Sequence, residues 1–135
     1  MQTELTNSLT PHICNADPTA IVQLLQAIPE WPGFDHGGSK EDFWHWRYDT
    51  SREHNLISTI CQGSKAVSHA ASLPTSILIN GRVLRGAQWS DFFTDPEFRN
   101  QGLIEKALNN LEDSETTAGI EADFSFPSPA GYTIG

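Results

Sequence analysis

Three strand-like runs follow one another between Leu56 and Thr94 with room only for tight turns between them. That spacing constrains the fold more than any other feature. "LISTICQ" is β-branched and alternating, "GSK" can turn it, and "AVSHAASLPTSILI" runs back. Asn80–Gly81 is the strongest short hairpin signal in the chain and leads into "RVLRGAQWSDFFT". The three runs read as an antiparallel meander. Pro74 cannot donate to a ladder, so the middle strand is bent or lies on an edge there.

The flanks extend this pattern. "HIC" at 12–14 is a short candidate first strand. "ADPTAIVQLLQAI" reads as a helix, with Asp17 as its cap, Pro18 at its first position, and Ile21, Leu24, Leu25 and Ile28 at helical spacing. A loop rich in Pro and Gly, "PEWPGFDHGG", separates it from "SKEDFWHWRY". This second helix opens with a Ser N-cap and acidic residues in its first turn. After Thr94 the chain passes through Asp95–Pro96 into the helix "GLIEKALNNLED" and then "GIEADFSF", a strand reached through a helix and so parallel to the one before it. The expected class is α+β: a mixed sheet with an antiparallel meander and one βαβ crossover, in a single domain over residues 1–135.

Composition removes several functions. No apolar run reaches the roughly 18 to 20 residues a membrane helix needs, and "MQTELTNSLT" is no signal peptide, so a cytoplasmic location is expected. A net charge of −9 argues against nucleic acid or an anionic membrane as partner. Cys14 and Cys61 are expected to be reduced thiols in different elements. His12, His36, His45, His54 and His69 lack the close spacing of zinc ligands, so no metal is expected.

The crossover holds the chemistry. A helix N-terminus leaves its first amides unpaired and carries partial positive charge, so it attracts anions. A bulky pyrophosphate reaches those amides only past bare backbone, and a nearby Arg adds charge and forked hydrogen bonds. "RNQGLI", Arg99 to Ile104, places both residue types at the mouth of the helix.

This segment resembles the acetyl-CoA-binding motif of the GNAT superfamily of N-acyltransferases. Its pattern resembles "DPxxRxxGxG/A", which "DPEFRNQGLI" matches with Asp95, Pro96, Arg99 and Gly102. "FWHWRY" (43–48), residues 76–108 and "FSFPSPAGY" (124–132) are similar to one subgroup of that superfamily, so the likeness covers most of 10–132. The usual first glycine is Asn100 here, a residue that tolerates left-handed backbone. The large apolar Ile104 takes the last small position, and Ser125 and Ser128 replace a Gly and an Asn.

The resemblance implies that the amides of Asn100, Gln101, Gly102, Leu103 and Ile104 face the pyrophosphate of acetyl-CoA, a co-substrate, with Arg99 beside them. The pantetheine arm would lie like an extra strand along Phe92, Phe93 and Thr94, one phenylalanine of the pair turning instead into the core. The acyl carbonyl would sit at the split between this strand and "ADFSF". Asp91 is the candidate general base, and Tyr132 the candidate proton donor to the leaving thiolate. The acceptor would be a small-molecule or peptide amine. A GNAT domain continues past its fifth strand into a helix and two more strands, so the resemblance implies a C-terminally truncated domain with an open edge, through which homodimers could form. The alternative reading is a non-catalytic GNAT-like remnant serving as a coenzyme A-binding or protein-interaction module.

Overall fold

A computed structural model of the chain describes residues 10–32, 37–49 and 56–125. The elements are β1 (His12–Cys14), α1 (Pro18–Leu25), α2 (Lys40–Asp49), β2 (Leu56–Gln62), β3 (Lys65–Ile79), β4 (Arg82–Thr94), a short 3-10 turn (Pro96–Phe98), α3 (Leu103–Thr117) and β5 (Ala122–Phe124). The strands lie side by side in chain order. Pairs β1–β2, β2–β3 and β3–β4 are antiparallel, whereas β4–β5 is parallel across α3. The meander and the βαβ crossover are both present.

Local chemistry sets the helix ends. Asp17 accepts from the amide of Thr19 at 3.3 Å and Pro18 follows at the first helical position. Ser39 Oγ accepts from the amide of Asp42 at 3.0 Å, while the Asp42 carboxylate accepts from the amide of Ser39, a reciprocal cap. Helix α3 runs four residues beyond the expected Asp113. Ser114, Thr116 and Thr117 turn their hydroxyls onto the carbonyls four residues earlier, so residues that usually end helices are tolerated. Gly119 stops it at φ 78°, where Ile120 donates back to Glu115.

Each face of the sheet carries a core. One packs Ile21, Val22, Leu25, Trp31, Phe43, Trp44 and Tyr48 of the α1–α2 region onto Ala71. The other packs Leu103, Ala107 and Leu111 of α3 onto Ile60, Val67 and Ala70. Trp44 is buried, whereas Trp46 is 63% exposed, its ring centre 5.9 Å from that of Phe43. Among the described residues the β2 pairing ends at Ser72, and Pro74 lies beyond it, opposite Ala87 of β4.

The cysteine expectation is overturned. Cys14 and Cys61 form a disulfide between β1 and β2, since the register places Cys14 opposite Thr59 and Cys61 opposite His12. No helix among the described residues is long and apolar enough to cross a membrane.

Candidate acyl-CoA site

Strand β4 outruns its neighbour. Its pairing with β5 covers Gly86↔Ala122, Ala87↔Asp123 and Gln88↔Phe124, and β4 then continues to Thr94. From Trp89 onward that side of β4 has no strand partner among the described residues. A free strand edge presents backbone N–H and C=O groups to anything that can pair with them.

A bulge bends the strand within this stretch. The β3–β4 register shifts between His69 and Ala71, and opposite the shift Asp91 has φ 55°, in the left-handed region. The residue is held from several directions. Its carboxylate accepts from Trp31 Nε1 at 3.0 Å and from the Tyr48 hydroxyl, and Arg47 Nε lies 3.9 Å away. Arg47 also donates to Ser90 Oγ at 2.7 Å. His69 Nδ1 donates to the Asp91 carbonyl at 2.8 Å, which leaves Nε2 as the unprotonated nitrogen. Burial, with Asp91 beside it, raises the Tyr48 pKa, so its phenol stays protonated. Burial likewise lowers the His69 pKa and keeps the ring neutral.

The two phenylalanines divide as their alternation requires. Phe93 packs toward the α1–α2 core, whereas Phe92 is 36% exposed and leans on the Trp89 ring, centroids 5.3 Å apart. Thr94 shares a 2.8 Å hydrogen bond with Ser68 and gives its carbonyl to Arg99 Nε at 3.2 Å. The Arg99 guanidinium also lies 5.5 Å from the Phe93 ring centre, so Arg99 is drawn back over the end of β4.

Between β4 and α3 the chain turns sharply. Asp95 accepts from the amide of Glu97 at 2.9 Å and pairs with Lys65 at 3.3 Å. Asn100 sits at φ 64° and Gly102 at φ 73°. Asn100 thus takes a left-handed backbone despite having a side chain. Gly102 is the N-cap of α3, no side chain caps the helix, and a Cβ on Gly102 would meet nothing within 4 Å. Space is therefore open above the first amides. The Leu103 side chain is buried beneath the helix, Ile104 is half-buried and Gln101 is exposed.

The structure thus brings Phe92, Thr94, Arg99, Asn100, Gln101, Gly102, Leu103 and Ile104 into one path, from a free strand edge to an uncapped helix start. Asp91 heads that path but points into the α1–α2 side. Tyr132 and Ser128 lie outside the described residues. Residues passed over in the sequence also matter: Trp31, Arg47, Tyr48 and His69 around the bulge, and Glu115 beneath Trp89. Trp31, Tyr48 and Trp89 carry a signal in the sequence, because a buried Trp or Tyr needs a polar partner for its N–H or O–H.

The family model described as "Acetyltransferase (GNAT) domain" matches residues 31–134. No curated protein matches the sequence. Solved structures do. Glucosamine-6-phosphate N-acetyltransferase from Arabidopsis thaliana superposes with a TM-score of 0.70 at 14% identity, covering 93% of this chain and 87% of that one. A predicted acetyltransferase with acetyl-CoA from Clostridium acetobutylicum gives 0.71 at 12% identity, covering 93% and 86%. A GCN5-related N-acetyltransferase from Kribbella flavida gives 0.75 at 14% identity, covering 96% of this chain and 33% of that one. The chain belongs to the GNAT acetyltransferase family.

Proposed function

We propose that the protein transfers an acyl group, acetyl by preference, from an acyl-CoA to an amine. One observation carries the reading: the free edge of β4 begins where β5 leaves it and runs directly into an uncapped helix start with a left-handed glycine. The amides after Gly102 offer an anion site for the pyrophosphate, and Arg99 stands beside it. The edge from Trp89 to Thr94 offers backbone partners for the two amides of a pantetheine arm. The thioester is then delivered at the β4–β5 split.

The amine nitrogen attacks the thioester carbonyl, a C–N bond forms and the C–S bond breaks. The amine loses one proton, and the departing thiolate takes one up. Alignment of the two reactants supplies much of the acceleration. We assign Asp91 mainly to holding the bulge, because both of its oxygens already accept hydrogen bonds. Its service as general base is the alternative, and Tyr132 remains the proposed proton donor to the thiolate.

A second reading, a protein-interaction module, draws on the exposed Leu78, Ile79 and Val83 at the far end of the β3–β4 hairpin. Self-association through the open sheet edge belongs to the same reading.

Titration calorimetry with acetyl-CoA and desulfo-coenzyme A tests the proposal beside Gly102→Asp, which sets a negative side chain at the anion site. Saturable binding that Gly102→Asp abolishes supports it. Ligand at a hundredfold over Kd should stabilise the fold by about 2.7 kcal/mol. Absence of binding at millimolar ligand overturns it in favour of the interaction module.

A further inference from the structure

Helix α3 turns every fourth residue to the sheet, yet the last member of the stripe is charged. Leu103, Ala107, Leu111 and Glu115 are all buried, Glu115 to 4% exposure. A carboxylate taken from water is tolerated only where donors meet it. Two strands provide them. Ser72 Oγ donates at 2.9 Å, and the Trp89 indole N–H reaches both oxygens at 3.1 and 3.2 Å. The Asp123 carboxyl of β5 bears electrostatically on the same group.

These contacts lie level with the opening of the sheet. Trp89 pairs in register with Ser72, one step beyond Gln88↔Phe124, the last pair joining β4 to β5 among the described residues. Trp89 is therefore the innermost residue of the free edge. Its ring is held twice, by its N–H on Glu115 and by a tilted contact with the Phe92 ring. An arm entering from the start of α3 passes Thr94 first and Trp89 last, so whatever the thioester carries arrives at the indole.

We infer that Glu115 is a positioning residue for the inner end of the slot, fixing Trp89 as a stop that restricts the acyl group to a short one. This rests on the reading that an acyl-CoA lies along the free edge of β4. Glu115 acts through the indole. Without it the ring can turn to another rotamer and lengthen the slot, and a longer aliphatic chain then gains apolar contact.

Calorimetric Kd values for acetyl-CoA and hexanoyl-CoA, measured on each protein, give a ratio that does not depend on the fraction folded. The wild type is expected to prefer acetyl-CoA by at least about tenfold, the scale at which a well-fitted pocket feels added methylenes. The preference should vanish or invert in Trp89→Ala and Glu115→Ala. It should survive in Glu115→Gln, whose amide oxygen still accepts from the indole. If Glu115→Ala does not fold, Trp89→Phe reads the same point, since it keeps a ring but loses the anchored N–H. A wild type without preference, or a ratio unchanged in Trp89→Ala and Glu115→Ala, overturns the inference and leaves acyl-CoA binding intact. A wild type that binds neither ligand overturns the acyl-CoA reading itself.

Discussion

The indole N–H of Trp31 donates to the Asp91 carboxylate at 3.0 Å, joining residues 60 positions apart. It ties the chain just after α1 to the bulge of β4. The Tyr48 hydroxyl adds a second tie from α2. Trp31→Phe removes a donor from a largely buried carboxylate and should destabilise the fold by about 1.5–3 kcal/mol. Tyr48→Phe should do the same, and the double variant should lose less than the sum, because the two share one acceptor. Thermal unfolding reads this directly, and an unchanged Tm in both single variants would refute the clamp.

Asp91→Asn separates anchoring from base catalysis. The amide still accepts one hydrogen bond but cannot take a proton. An anchor predicts a lower Tm with kcat held within about tenfold, whereas a general base predicts a fall of about 10²–10⁴-fold. Steady-state kinetics on any accepted amine decides between them.

His69 and Glu115 should give opposite pH signatures. Burial lowers the His69 pKa from 6.5, so the folded state resists a proton that the unfolded chain binds. Its stabilising share is present above pH 6.5 and is lost as pH falls below it. Burial, reinforced by Asp123, raises the Glu115 pKa above 4.5 despite the hydrogen bonds from Ser72 and Trp89. Its share is full below pH 4.5 and is lost as pH rises through the folded-state value. Relative to wild type, His69→Gln should therefore look better on the acid side and Glu115→Gln on the alkaline side. Urea unfolding across pH measures both, and parallel curves for wild type and variant would refute the corresponding assignment.

The Cys14–Cys61 bond spans 47 positions and encloses α1 and α2. Closing a loop of that size should stabilise the fold by about 4 kcal/mol through the unfolded chain. Dithiothreitol, or Cys14→Ser, should lower Tm by about 10 °C or more. A melting curve indifferent to reductant would refute the bond's contribution.

Asn100 provides a finer test at φ 64°. Asn100→Gly should leave stability within about 0.5 kcal/mol, because glycine removes strain but loosens the unfolded chain. Asn100→Val should cost about 1–3 kcal/mol, since a β-branched side chain is crowded there. Equal Tm values for the two variants would contradict the left-handed assignment.

The meander was legible because its strands carry their own local signals: alternation in "LISTICQ" and the Asn80–Gly81 turn. The start of α3 was legible because left-handed backbone and bare amides demand particular residue types, and Gly102 and Asn100 supply them. What stayed hidden depends on register. Nothing local in "HIC" says that Cys14 lies two residue pairs from Cys61 along the β1–β2 ladder. Glu115 sits in "EDSETT", which reads as a solvated helix end. Only the repeat of four from Leu103 betrays its direction, and only the fold shows that Ser72 and Trp89 wait there. Asp91 stands out in "SDFFT" as a carboxylate on β4, yet its partners come from the α1–α2 side, far away along the chain.

Strand β4 passes into α3 through one short turn, so the whole proposed donor side, from Trp89 to Ile104, is one unbroken piece of chain. The packing around it comes from other parts of the chain, such as α1 and α2 on one face of the sheet. Such a division lets the two halves change on separate schedules: a short cassette can keep grip on a common activated carrier while the surrounding scaffold is rewritten for a new recipient. A chain only 12–14% identical to its structural neighbours can keep their fold and still serve a different customer.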